Sequence, residues 1–179
     1  MDDVRISKFL SLVLRHEPGR IGIRLDAAGW VGVEELLAAC ARHGVAIPSE
    51  LLEQIVTQSD KQRFAFDETR RRIRASQGHS VAVELGYEPM TPPEKLYHGT
   101  VAKFVGAIRS QGLRKGARHH VHLSVDEATA RKVGQRRGAP VLLAIDAGAM
   151  HRAGHVFFRS ANGVWLVDQV APQFIAFPP

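Results

Sequence analysis

The stretch "ELGYEPMTPPE" at residues 84–94 constrains the fold more than any other segment of the chain. Pro89, Pro92 and Pro93 remove backbone donors and forbid a continuing helix, so the stretch reads as an extended connector. Its two flanks differ in periodicity. Before it, Ile6, Leu10, Val13 and Leu14 fall at helical spacing and predict a first helix to about His16, stopped before Pro18. Val33, Leu36, Leu37 and Cys40 predict a second helix with Gly44 as its C-cap, and Ser49 opens a third, "SELLEQIVTQ", as its N-cap. Two runs alternating apolar and basic residues, "RFAF" and "RRIRA", then predict a hairpin about "DETR". Beyond the prolines come short segments of both kinds: "KLYHG", "VAKFVGAIRSQGL", "HVHLS", "DEATARKVGQ", "VLLAID", "HVFFRS", "VWLVD" and "QFIAF". Tyr97, Phe104 and Trp165, in short apolar runs, are expected in the core, with an aromatic contact to a ligand ring as the alternative.

The fold class that follows is α+β. Residues 1–84, three helices and a basic hairpin, have the pattern of a winged-helix lobe; 85–95 form a linker; 96–179 form a second lobe with a split, mainly antiparallel sheet. No loop carries a Gly-rich phosphate fingerprint, which sets aside Rossmann and P-loop architectures. No apolar run approaches the roughly 18 residues of a membrane span. The start, "MDDVRISKFL", lacks the order of a secretory signal, so a cytoplasmic protein is expected. The single cysteine, Cys40, excludes an internal disulfide and a Cys-rich zinc site and reads as a buried helix residue.

A net charge of +6 asks for a polyanionic partner. The charge is concentrated in residues 61–74, where Lys61, Arg63, Arg70, Arg71, Arg72 and Arg74 face only Asp67 and Glu68. This segment reads either as a solvated hairpin or as a contact surface for a phosphate backbone. A second cluster, "GARHHVHLS" at 116–124, invites a metal. Strand alternation puts His120 and His122 on one face and His119 on the other, and no nearby carboxylate or cysteine completes a ligand set, so no metal is expected.

Five motifs, "SKFLSLVLRH", "SDKQRF", "IRASQGHS", "LYHGT" and "HVHLS", occur in one order over nearly the whole chain. In that order they resemble the NAD-dependent tRNA 2′-phosphotransferases. The resemblance implies a winged-helix RNA-binding lobe joined to an ADP-ribosyltransferase-like, NAD-binding lobe, with the active site in the cleft between them. It implies RNA bearing a 2′-phosphate as partner and NAD as a consumed co-substrate. The 2′-phosphate attacks the anomeric carbon of the nicotinamide ribose and expels nicotinamide. The ribose 2″-hydroxyl then attacks the phosphorus, leaving RNA with a 2′-hydroxyl and ADP-ribose 1″,2″-cyclic phosphate.

The resemblance assigns the catalytic set to Arg15, His16, Arg63 and Arg118. A phosphomonoester is already anionic at neutral pH, so such chemistry needs forked cations to orient it and a histidine to move a proton. Arg114 lies close to Arg118, and the preference for Arg118 rests on its place directly before the strand. His98, Gly99, Thr100, His122, Ser124 and Val164 are the implied NAD-binding positions, with Gly99 and Thr100 letting backbone approach the ligand. Many protein-modifying ADP-ribosyltransferases carry glutamate where this chain has Val164, a departure that fits a substrate phosphate acting as nucleophile. Lys61, Arg74, Gln77 and His79 are the implied RNA or phosphate contacts. The competing function is an ADP-ribosyltransferase acting on nucleic-acid or protein acceptors. A monomer is expected.

Overall fold

The first helix ends at Arg15. A computed structural model describes residues 3–59 and 62–178, with Arg137 as backbone only. In it α1 spans Asp3–Arg15, and the N–H groups of His16 and Glu17 both donate to Leu12 O at 2.9 Å. Pro18 cannot continue the ladder and starts a 3₁₀ turn, Pro18–Ile21, closed by Gly22 at φ 73°. Ile6, Leu10, Val13 and Leu14 are all buried, as their spacing requires.

The chain divides into two units, Met1–Gly86 and Tyr87–Pro179. In the first, β1 (Val31–Gly32) leads into α2 (Val33–Arg42), and α3 (Ser49–Thr57) follows. The caps differ from expectation by one residue each. His43 is the C-cap of α2, with Gly44 at φ 77° as the left-handed residue after it; Pro48 caps α3, with Ser49 already helical and making no side-chain cap bond. Pro48 serves because its backbone is fixed in the extended conformation that precedes a helix, while its carbonyl accepts from Leu52 N–H.

Strands β2 (Phe64–Phe66) and β3 (Arg72–Ala75) form the expected hairpin, and β1 adds to the other edge of β3 in a three-stranded antiparallel sheet. Alternation turns Val31, Phe64, Ile73 and Ala75 into the same apolar core as the three helices. Burying each large side chain there contributes about 1.5–3 kcal/mol against chain entropy. The opposite face carries Ala65, Arg72 and Arg74.

The second unit contains β4 (Lys95–Val101), α4 (Ala102–Gln111), β5 (Leu113–Arg114), β6 (Val121–Leu123), α5 (Glu127–Gly134), β7 (Pro140–Asp146), α6 (Ala147–Arg152), β8 (Phe157–Arg159), β9 (Trp165–Val167), β10 (Gln169–Val170) and β11 (Ile175–Ala176). The fold is α+β, and every strand pairing among the described residues is antiparallel. The expected split sheet is realised as several small ones, ordered β11-β7-β4, β6-β9-β8 and β10-β5. A separate core lies beneath them, built on Leu96, Leu123, Leu143, Ile145, Phe157 and Trp165.

Within 85–95, Pro89 bridges to Phe158 and Met90 N–H donates to Phe157 O, so these residues add to the edge of β8. Phe104, expected in the core, is 37% exposed beside the Lys103 ammonium, because α4 buries only Ile108. Among the described residues, no helix is long and apolar enough to cross a membrane.

Candidate active site

The first unit gathers its site residues around the C-terminus of α1. Arg15 and His16 are delivered there because the helix stops before Pro18, and Arg63 lies one residue before β2. An Arg15 Nη2–H donates to Arg63 O at 3.3 Å, with the guanidinium over the Phe64 ring. An Arg63 Nη1–H reaches Ser7 Oγ at 3.5 Å. The loop after β3 closes over the helix end: Ser80 N–H donates to Arg15 O, and Ser80 Oγ lies 2.9 Å from His16 Nδ1. Ser76 ties the same loop to the start of β2, its N–H donating to Arg63 O and its hydroxyl to Gln62 O. Two guanidinium groups and an exposed imidazole are therefore presented from three segments fastened to one another.

The second unit builds its own set across two strands. Tyr97 and Ser124 exchange backbone hydrogen bonds at 2.8 Å, which sets β4 beside the end of β6. The register places His98 Nδ1 3.0 Å from His122 O; a carbonyl only accepts, so His98 Nδ1 carries the hydrogen. Arg118 Nη1 lies 3.4 Å from His122 Nδ1, and a guanidinium only donates, so that ring nitrogen accepts. Arg118, His122 and His98 thus form one hydrogen-bonded line with both histidine tautomers defined. Arg114 instead lies within β5, opposite Gln169 of β10.

The histidine cluster separates into different environments. His120 packs edge-on to Tyr87 and Phe158 on the face that carries His122. Burial, then the neighbouring His119 and Lys115, hold its pKa below the ordinary 6.5. Among the described residues, no group of three or more His, Cys, Asp or Glu side chains could hold a metal ion.

Residues 1–169 match the family described as "RNA 2′-phosphotransferase, Tpt1 / KptA family". The chain belongs to this family. Relatives named "Probable RNA 2′-phosphotransferase" include one from Streptomyces griseus, 57% identical and covering 96% of this chain and 95% of its own. Another from Nostoc punctiforme is 56% identical with the same coverages, and one from Flavobacterium johnsoniae is 53% identical, covering 96% of this chain and 94% of its own.

In this member of the RNA 2′-phosphotransferase family, the expected catalytic residues divide between the units, with Arg15, His16 and Arg63 in the first and Arg118 in the second. Of the expected RNA contacts, Lys61 lies outside the described residues. Arg74 projects from β3 with an Nη1–H on Ala28 O, and Gln77 is half-buried. His79 is 2% exposed, close to Gly29, where the structure buries it beneath the loop instead of presenting it at the surface.

Gly99 has a packing reason. A Cβ there would stand 1.8 Å from Ala130 O, so glycine lets α5 approach β4. Thr100 is buried, and Val164 closes the turn into β9, its N–H donating to Ser160 Oγ and its carbonyl accepting from Ser160 N–H. Sequence reasoning assigned no role to Ser7 or to Ser80. The only signal for Ser80 is its place at the end of "IRASQGHS", since its contact with His16 spans 64 positions.

Proposed function

We propose that this chain removes a 2′-phosphate from RNA by transferring it to NAD, leaving an RNA 2′-hydroxyl, nicotinamide and ADP-ribose 1″,2″-cyclic phosphate. The observation that carries the reading is the Arg118–His122–His98 line, which joins a phosphate-type cation to two imidazoles of fixed tautomer. Family membership over residues 1–169 supports the substrate. The helix and hairpin order of the first unit supports a winged-helix RNA lobe, and the small antiparallel sheets of the second support an ADP-ribosyltransferase-like lobe.

The donor set of the second unit suits NAD. With Nδ1–H given to His122 O, a neutral His98 ring offers Nε2 as acceptor for a ribose hydroxyl. His122, accepting from Arg118 at Nδ1, carries its hydrogen on Nε2 and donates there, with Ser124 and Val164 as further lining. NAD supplies an anomeric carbon with nicotinamide as its leaving group.

The chain's own residues orient and discharge the phosphate. Arg15, Arg63 and Arg118 provide planar forks that hold phosphate oxygens and stabilise charge as two oxygens exchange at phosphorus. His16 carries the proton between the 2″-hydroxyl and the departing RNA 2′-oxygen. The Ser80 hydroxyl both donates and accepts, so it supports the imidazole in either protonation state. Arg74 and Gln77, with Lys61, serve the RNA strand, and buried His79 positions their loop.

The test is incubation with an oligoribonucleotide bearing an internal 2′-phosphate, with and without NAD and with EDTA. The expected result is phosphate loss only with NAD, undiminished by EDTA, with the cyclic phosphate as product. Phosphate release without NAD rejects the reading.

A further inference from the structure

The outer face of the first unit's sheet carries a tryptophan that the catalytic reading leaves unused. The β1–β3 register pairs Val31 with Ile73 and Gly32 with Arg72, which carries Trp30 beside Arg74. The Arg74 guanidinium lies over the indole at 4.5 Å from the ring centroid, and that of Arg72 at 5.5 Å. The assembly is fastened from below. Trp30 N–H donates to Asp26 Oδ1 at 2.9 Å, Asp26 N–H to Trp30 O at 2.9 Å, and Arg72 Nη1 meets Asp26 Oδ2 at 3.1 Å.

A tryptophan that only anchored a loop would pack on the apolar core. Trp30 is half-buried, yet it is not among the residues packed on that core and lies instead among guanidinium groups. Its neighbours on the sheet, Gly32 and Ala65, are small and leave the layer accessible. Arg72 is paired with Asp26 and Asp67, whereas, among the described residues, neither Arg71 nor Arg74 has a carboxylate within ion-pair distance. A pre-ordered layer of indole and guanidinium planes, with the Arg74 charge unmatched by a carboxylate, has the chemistry that holds single strands, whose bases stack and whose phosphates demand cations.

We propose that Trp30, Arg72 and Arg74 form a stacking platform for the single-stranded RNA that flanks the reacting nucleotide. The proposal rests on RNA being the substrate, and it adds a subsite for nucleotides that undergo no chemistry. It makes Trp30 a determinant of affinity for longer RNA.

The chain has two tryptophans, Trp30 and Trp165, so Trp165→Phe leaves Trp30 as the sole reporter. Its emission is followed while the full chain is titrated with a single-stranded octaribonucleotide lacking a 2′-phosphate, without NAD. If Trp165→Phe folds poorly, the same signal is the difference between the wild-type chain and Trp30→Phe. Quenching is expected, together with a Kd for the labelled octamer raised about tenfold by Trp30→Ala and largely retained by Trp30→Phe. Binding of a heparin fragment, a polyanion without bases, should be unaffected by Trp30→Ala.

An unchanged emission, an octamer affinity indifferent to Trp30→Ala, or an equal loss for heparin overturns the platform. Because the octamer carries no reactive phosphate and the assay no NAD, failure here leaves the dephosphorylation reading standing. Failure of dephosphorylation in turn leaves this titration interpretable.

Discussion

At His16, one hydroxyl contact decides what the imidazole can do. Ser80 Oγ lies 2.9 Å from Nδ1, so the proton transfer proposed for this ring falls to Nε2. His16→Ala should lower kcat by about 10²–10⁴-fold with little change in KM for NAD, and Ser80→Ala should lower it by a smaller factor. Steady-state kinetics across pH checks both. Arg118→Lys should cost at least about tenfold in kcat/KM, because an ammonium does not reproduce the fork that reaches His122 Nδ1 and that is proposed to hold phosphate. His120 offers a test on stability. Its pKa is held below 6.5 chiefly by burial, so the folded chain resists protonation that the unfolded chain accepts. Its contribution is complete above pH 6.5 and declines as pH falls from there toward the lowered value. Urea midpoints measured down this range should fall, and His120→Phe should flatten that part of the curve.

At the scale of elements, α5 is fixed from both ends of its packing. Asp126 caps it by accepting from Thr129 N–H at 2.7 Å, an interaction that also keeps the Asp126 carboxyl below its ordinary pKa. Asp126→Ala should cost about 1 kcal/mol in chemical denaturation. Gly99→Ala should cost about 3 kcal/mol, since the methyl would meet Ala130 O on this helix, and thermal unfolding should show it as a lowered Tm. The three helices of the first unit were legible because Ile6, Leu10, Val13 and Leu14 and their counterparts repeat at helical spacing over enough turns. Helix α6, six residues long and capped by Asp146, is too short to show a period, and two-residue β1 is too short to show alternation. Phe104 misled because an aromatic in an apolar run looks internal until the packed face of its helix is known; α4 turns Ile108 inward instead.

Across the whole molecule, the residue types of the site were legible from motifs, whereas their supports were not. "SKFLSLVLRH" and "HVHLS" pointed to Arg15, His16 and His122, but the partners of the first two, Arg63 O and Ser80, come from segments far along the chain. The resemblance implied His79 as an RNA or phosphate contact, but burial of a polar loop residue leaves no periodic trace, and Trp30 escaped notice because its pairing with Arg74 depends on strand register. The first unit holds a cationic, histidine-bearing set, and the second holds the Arg118–His122–His98 line. The claim that follows is chemical coupling: each phosphate leaves RNA only as a nicotinamide leaves NAD. The most direct measurement counts nicotinamide released against 2′-phosphate lost in one reaction with the full chain. One of each per turnover is expected, with no inorganic phosphate; phosphate lost without equimolar nicotinamide, or released as free inorganic phosphate, overturns the coupling.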